Sequence, residues 1–153
     1  MKKFLFAFGF LVLLSLGCKK QETGCTPVKP EVEEPQILNY ATKDSINAVK
    51  HSSGIYYQII NPGTGATPTA TSRVSVTYTG KFLNDAKFDE STTPVSFSLN
   101  GVIEGWQIGI PLIKKGGRIK MIIPSAYAYG CNGNGPIPPN SVLFFDVTLL
   151  DVQ

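Results

Sequence analysis

The sequence predicts an α+β domain, an antiparallel β-sheet packed on one short helix, behind a long N-terminal extension. Three observations carry this. After Gly54, several segments alternate apolar and polar residues with a period of two. One segment among them, from about Glu104 to Leu112, has a helical period instead. Around Gln36 the composition shifts from a proline- and glutamate-rich stretch to one that carries large apolar residues.

The chain opens with Met1-Lys2-Lys3 and an uncharged, mostly apolar run of thirteen residues, Phe4 to Leu16. That run is too short for a bilayer-spanning helix and matches the core of a signal peptide, here residues 1–17. It ends in Leu14-Ser15-Leu16-Gly17-Cys18, which resembles a bacterial lipobox, with Cys18 as the acylated residue. Ser15 and Leu16 depart from the commoner residues of that motif, and cleavage without lipid is the simpler alternative. An acyl chain would hold the protein to a membrane through burial worth about 0.8 kcal/mol per CH₂. The expected location is therefore the cell envelope, on the periplasmic face of a membrane or at the outer membrane. Lys19 after the cysteine gives the outer membrane a mild preference.

Residues 18–35 hold three prolines and four glutamates and almost no large apolar side chain, so a flexible tether is expected there. In the extension over 36–53, Ile37, Leu38, Tyr40, Ile46 and Val49 have loose helical spacing, enough for one or two short helices. The main domain is expected over 54–153. Ile55 to Ile60 is rich in β-branched and aromatic residues and stops at Asn61-Pro62-Gly63. Val74, Val76 and Tyr78 alternate with polar neighbours, as do Val95, Phe97 and Leu99, then Ile119, Met121 and Ile123. Leu143, Phe145, Val147 and Leu149 line one face of the last strand. Ile103, Trp106 and Ile110 share one face of the single helix.

Charge and composition exclude several functions. The net charge of +3 falls to 12 basic against 11 acidic residues once Lys2 and Lys3 leave with the leader. That gives no electrostatic case for nucleic acid, and the cluster Lys114, Lys115, Arg118 and Lys120 reads as a solvated edge. The single histidine, His51, lies before the strands, with no nucleophile placed beside it. No Cys/His cluster has metal spacing, so neither a metal nor a cofactor is expected. The Gly130–Gly135 loop lacks the Lys-Ser/Thr that completes a phosphate cradle. Asp89 and Glu90 are adjacent on a strand and point to opposite faces, which rules against a paired-carboxylate site.

What remains is an aromatic set spread over several elements: Tyr78, Phe88, Phe97, Trp106, Tyr127, Tyr129 and Phe145. Read by residue type alone, these are either a plain core or the lining of a site. The tyrosines of Ala126-Tyr127-Ala128-Tyr129-Gly130, next to a Gly/Pro-rich loop, favour a site.

A run of ordered motifs resembles the FKBP family of peptidyl-prolyl isomerases. They are Val76-Thr77-Tyr78-Thr79-Gly80, Lys87-Phe88-Asp89-Glu90-Ser91, Phe97-Ser98-Leu99 and Gly101-Val102-Ile103-Glu104-Gly105-Trp106. Lys115-Gly116-Gly117, Ile123-Pro124, Tyr127-Ala128-Tyr129-Gly130, Ile137-Pro138-Pro139-Asn140 and Leu143-Phe144-Phe145-Asp146-Val147 follow in the same order. The resemblance implies a sheet curved around the helix and a shallow apolar catalytic pocket. Trp106 would form its floor and Tyr78, Phe88, Val102, Ile103 and Phe145 its walls. Asp89 and the Tyr129 hydroxyl would stand at the rim, with the Ile103 N–H as donor to a substrate carbonyl. Further substrate contacts are implied for Val95, Phe97, Tyr127, Cys131 and Ile137, Phe97 lying on the strand beneath and Tyr127 behind the pocket.

Partners implied are unfolded or nascent exported proteins with X-Pro bonds, and the membrane through the anchor. A non-catalytic module of the same fold that grips proline segments is the alternative. The family usually has an aromatic where Val95 stands, which implies a thinner wall and weaker macrolide binding. The turn Asn84-Asp85-Ala86 lacks an expected glycine. With Cys18 given to lipid, Cys25 and Cys131 either pair in an oxidising compartment or stay as two free thiols. Oligomeric state is open.

Overall fold

The computed structural model describes residues 24–153, so the expected leader and Cys18 lie outside the described residues. Six strands form one antiparallel sheet: β1 (Val49–Lys50), β2 (Tyr56–Asn61), β3 (Arg73–Phe82), β4 (Lys87–Ser98), β5 (Arg118–Ile123) and β6 (Leu143–Val152). Their spatial order is β1-β2-β5-β6-β3-β4. Two helices flank the sheet, α1 (Pro30–Lys43) and the short α2 (Glu104–Gly109), which continues as a 3₁₀ turn over Ile110–Leu112.

Alternation along the strands produces two separate apolar faces. Val74, Val76, Ile119, Met121, Ile123, Leu143, Phe145, Val147 and Leu149 join Trp106 and Ile110 of the α2 segment in the main core. The intervening residues Tyr56, Ile122 and Phe144 face the other way and meet Ile37, Tyr40 and Ala41 of α1. The two helices therefore cover opposite faces of one sheet. Close approach of α2 depends on two glycines one turn apart. A Cβ on Gly105 would collide with Ile123, and one on Gly109 with Met121. Bare backbone at both positions lets the helix lie against β5.

The extension differs from its expected form. A single helix begins at Pro30, inside the stretch expected to be a tether, and runs to Lys43, while Val49 belongs to an edge strand. Proline is well placed at the first helical turn, where its missing N–H costs nothing. Glu31 and Glu33 in the first turn and Lys43 in the last complement the helix dipole. Pro35 lies further in and leaves the Glu31 carbonyl without its ladder donor, so propensity alone disfavours this helix. Tertiary contacts hold it instead. Ile37 is fully buried, and the Glu33 carboxylate, only 3% exposed, accepts hydrogen bonds from the Ser125 N–H at 2.8 Å and the Ser125 hydroxyl at 2.6 Å.

The β3–β4 turn accounts for its missing glycine. Asp85 adopts the left-handed conformation with φ of 69°, which aspartate tolerates. Its carboxylate accepts a hydrogen bond from Tyr40 at 3.3 Å and pairs with Lys43 at 2.5 Å, tying the turn to the end of α1. Before α1, Cys25 is joined to Cys131 in a disulfide with a Cα–Cα distance of 5.6 Å. In the unfolded chain that link closes a loop with a sequence separation of 106, which the chain-entropy model values at about 4–5 kcal/mol.

Truncation of Ile37 to alanine should cost about 2–5 kcal/mol, because a fully buried side chain leaves a cavity. Urea unfolding of the two forms checks this, and a loss below about 0.5 kcal/mol would contradict the seating of α1 on the sheet.

Candidate functional site

The site sits at the mouth of the concave face, where the sheet curves past α2. Gly101 to Ile103 bring the chain from the 3₁₀ turn after β4 into α2, and the Ile103 carbonyl accepts from the Trp106 and Gln107 N–H groups. The Gln107 side chain donates to the Val102 carbonyl at 2.8 Å and fixes the approach. The Ile103 N–H itself has no intramolecular partner among the described residues. It is a free donor at the pocket edge.

Trp106 is 4% exposed. Its indole stands nearly perpendicular to three rings, Tyr78 at 5.2 Å, Phe145 at 5.3 Å and Phe97 at 5.8 Å between centroids. Edge-to-face packing suits the aromatic quadrupole and fixes the indole from three strands at once. Its Nε1–H is buried with no hydrogen-bond partner among the described residues. Phe88 continues the wall, packed on Phe145 at 5.6 Å and on Phe82 at 5.0 Å.

These side chains enclose a cavity of about 340 Å³. Tyr78, Phe88, Asp89, Phe97, Gly101, Val102, Ile103, Trp106, Tyr129, Asn134 and Phe145 line it. That volume holds a prolyl ring with its adjoining main chain. The Tyr78 hydroxyl donates to the Asp89 carboxylate at 2.6 Å. Burial, then the bonded Asp89 carboxylate, pushes the Tyr78 phenol well above its usual range, so it stays a neutral donor. The lining holds no His, Lys, Ser, Thr or Cys. It offers apolar surface, a carboxylate, hydroxyls and amides, and no nucleophile activated by a base.

All eight residues expected in the catalytic pocket line this one cavity. The further contacts divide. Phe97 lines it as well, edge-to-face against Trp106. Val95 does not. It pairs with Val76 across the strands and packs on the core, so the thinner wall expected there is not part of the cavity. Ile137, 6% exposed, is a core anchor of the loop. Tyr127 is directed at the Pro30 and Gly54 side of the molecule, away from the lining. Cys131 is held in the disulfide with Cys25 and is not a lining residue. Asn134 and Gly101 were not expected. Asn134 sits in a loop whose residue types read only as a turn, and a backbone bridge to Ile137 brings it to the cavity.

Elsewhere, Arg118 makes a two-bond pair with Asp146 and Lys115 pairs with Asp151, so two of the four clustered cations are already partnered. His51 bonds Ser53 at 2.9 Å and lies outside the cavity lining.

The fold and this cavity define the class: a curved antiparallel sheet that presents a small aromatic-lined pocket beside one helix. The profile of the FKBP-type peptidyl-prolyl cis-trans isomerases matches residues 65–150, and the chain belongs to that family. It is 49% identical over 105 residues to the FKBP-type peptidyl-prolyl cis-trans isomerase FkpA of Escherichia coli K12, covering 67% of this chain and 39% of that protein. To the FkpA of Aeromonas hydrophila it is 44% identical over 123 residues, covering 78% of this chain and 45% of that protein. The chain thus spans about two fifths of the length of these curated relatives. The crystal structure of E. coli FkpA superposes with a TM-score of 0.72 at 41% identity, over 81% of this chain and 61% of that one. A peptidyl-prolyl cis-trans isomerase from Pseudomonas syringae pv. tomato gives 0.70 at 32% identity, over 84% and 98%.

A raised tyrosine pKa fixes a pH dependence. The folded state keeps the Tyr78 proton where the unfolded chain has lost it, so the associated stability is present below about pH 10 and drains away above it. Tyr40 and Tyr56 are shifted the same way, mainly by burial. Urea unfolding at about pH 8 and about pH 11 should show the parent losing stability at the higher value and Tyr78→Phe losing less of it. An equal loss in both proteins would contradict the assignment.

Proposed function

We propose that this chain is an isomerase that speeds cis–trans exchange of X-Pro bonds in unfolded or nascent exported proteins. The carrying observation is the cavity: six aromatic side chains line a space that holds no His, Lys, Ser, Thr or Cys. Amide resonance gives peptide rotation a barrier of about 18–20 kcal/mol. Uncatalysed X-Pro exchange takes tens to hundreds of seconds. No bond is broken in this reaction, so no nucleophile is needed. The twisted amide has less charge separation than the planar one, and a water-poor aromatic surface favours it. The free Ile103 N–H is suited to hold the substrate carbonyl before the proline, and the neutral Tyr78 hydroxyl keeps Asp89 oriented at the rim.

The N-terminal sequence supports a location in the cell envelope. A basic start, a short apolar run and Cys18 fit a processed leader and a lipid anchor, on the periplasmic face of a membrane or at the outer membrane. No helix among the described residues is long and apolar enough to cross a membrane.

Exchange of a blocked tetrapeptide with Leu-Pro at its centre, followed by NMR, tests the activity. The parent should accelerate it, with kcat/KM flat from about pH 6 to about pH 9 because no general base titrates. Trp106→Ala should lower kcat/KM at least about tenfold. Tight binding without any acceleration by the parent would replace the isomerase with a non-catalytic proline-binding module.

A further inference from the structure

The loop from Ser125 to Asn140 carries two lining residues, Tyr129 and Asn134, and apart from the buried Ile137 much of it is glycine and turn that is costly to fix in one shape. It contains Gly130, Gly133 and Gly135, all with positive φ, and Asn140 with φ of 56°. Such a chain gives up much conformational freedom when it is fixed. Its internal ties are backbone bonds. Asn134 and Ile137 exchange two of 2.9 Å, the Gly133 N–H reaches the Tyr129 carbonyl at 3.2 Å, and the Asn140 N–H reaches the Gly130 carbonyl at 2.8 Å. Among the described residues, no side-chain hydrogen bond holds 126–137.

Two external ties come from one place, the segment before β1. Cys25 is bonded to Cys131, between Tyr129 and Asn134. At the base of the loop, Glu33 accepts from both the N–H and the hydroxyl of Ser125. Ser125 in turn offers its carbonyl to the Ala128 N–H at 3.0 Å and the Gly130 N–H at 2.8 Å, the two residues on either side of Tyr129. Ser125 is fully buried, so these bonds act in a dry environment where an unmet partner is costly. A continuous path therefore runs from the Glu33 carboxylate through one residue to the backbone that sets Tyr129. Cys25 and Glu33 lie outside residues 65–150, the part matched by the family profile, while their partners Cys131 and Ser125 lie within it.

We infer that the segment from Cys25 to Lys43 is part of the substrate site. It holds the 125–140 loop in the position from which Tyr129 and Asn134 line the cavity, with Glu33 and the Cys25–Cys131 pair as positioning residues. The inference rests on the isomerase reading for its kinetic consequence, and on geometry alone for the hold on the loop. The loop touches substrate in the ground state and in the twisted state alike, so loosening it weakens binding and spares the chemical step.

The test compares the full chain with Cys25→Ser/Cys131→Ser, Glu33→Ala and Glu33→Gln. Affinity for the Leu-Pro tetrapeptide is read from the fluorescence of Trp106, the single tryptophan of the chain. KM and kcat are read by NMR exchange, and loop order by hydrogen exchange at the Asn134 and Ile137 amides. The double cysteine variant and Glu33→Ala should raise Kd and KM about five- to tenfold with kcat within about twofold of the parent. Exchange at the two amides should rise about tenfold or more. Glu33→Gln keeps a carbonyl acceptor for Ser125 and should fall between parent and Glu33→Ala. Unchanged Kd, KM and amide exchange, with only a lower Tm, would mean that the segment merely stabilises the fold and would overturn the inference. Should Glu33→Ala not fold, the cysteine variant decides alone, since Cys25 lies exposed at the end of the segment. If the parent neither binds nor turns over the peptide, the isomerase reading fails, while protection at Asn134 and Ile137 still decides whether the segment holds the loop.

Discussion

The contact of the Trp106 indole with three perpendicular rings organises the concave side of the molecule. Tyr78 comes from β3, Phe97 from β4 and Phe145 from β6, so one side chain on α2 registers three strands against the helix. That contact requires α2 to lie close to the sheet, and Gly105 and Gly109 supply the space. A larger residue at either position would lift the helix and with it the pocket floor. Packing of the core and formation of the cavity are the same event here. The rings that exclude water from the interior also leave a gap that nothing in the described chain fills.

The polar groups around that gap are few and specialised. Tyr78 is both a wall, through its ring, and the partner that orients Asp89. Burial keeps its proton in place, so the pair does not change charge on the phenol side near neutrality. Such a site offers fixed dipoles and apolar surface without reorganisation, which is the requirement for favouring a less polar transition geometry.

Legibility differed between the two halves of the chain for a physical reason. Strands and α2 were written in periodicity, because their residues face either core or solvent, and the ordered motifs added the pocket. Tyr78 and Phe145 were legible by strand alternation and Trp106 by helical period, while their joining with Phe88 in one pocket came from the resemblance carried by the ordered motifs. Of helix α1 only the second half was legible, from the spacing of Ile37, Leu38 and Tyr40; its start was not, since three prolines and four glutamates between Lys19 and Pro35 signal a tether. Its stability comes from Glu33 reaching Ser125, 92 residues away, and no local pattern encodes that. Val95 was placed at the site by the family resemblance, where the position usually carries an aromatic; the smaller valine pairs with Val76 and packs on the core, and does not line the cavity. Asn134 was missed because its position depends on a backbone bridge inside a glycine-rich loop.

The Cys25–Cys131 link also sets a mechanical geometry. Measured along the chain, the pocket loop is more than a hundred residues from the N-terminal cysteine, but through the disulfide it is only the step from Cys18 to Cys25, seven residues. Even fully extended, seven residues reach about 25 Å. An anchor at Cys18 would therefore keep the mouth of the cavity within a short radius of the bilayer, with limited freedom to turn away. Any pull between membrane and domain would enter the fold at the pocket loop and bypass α1. With the proposed anchor at Cys18 and the proposed isomerase activity, client chains would be met in the thin layer next to the membrane, not in the open compartment beyond it.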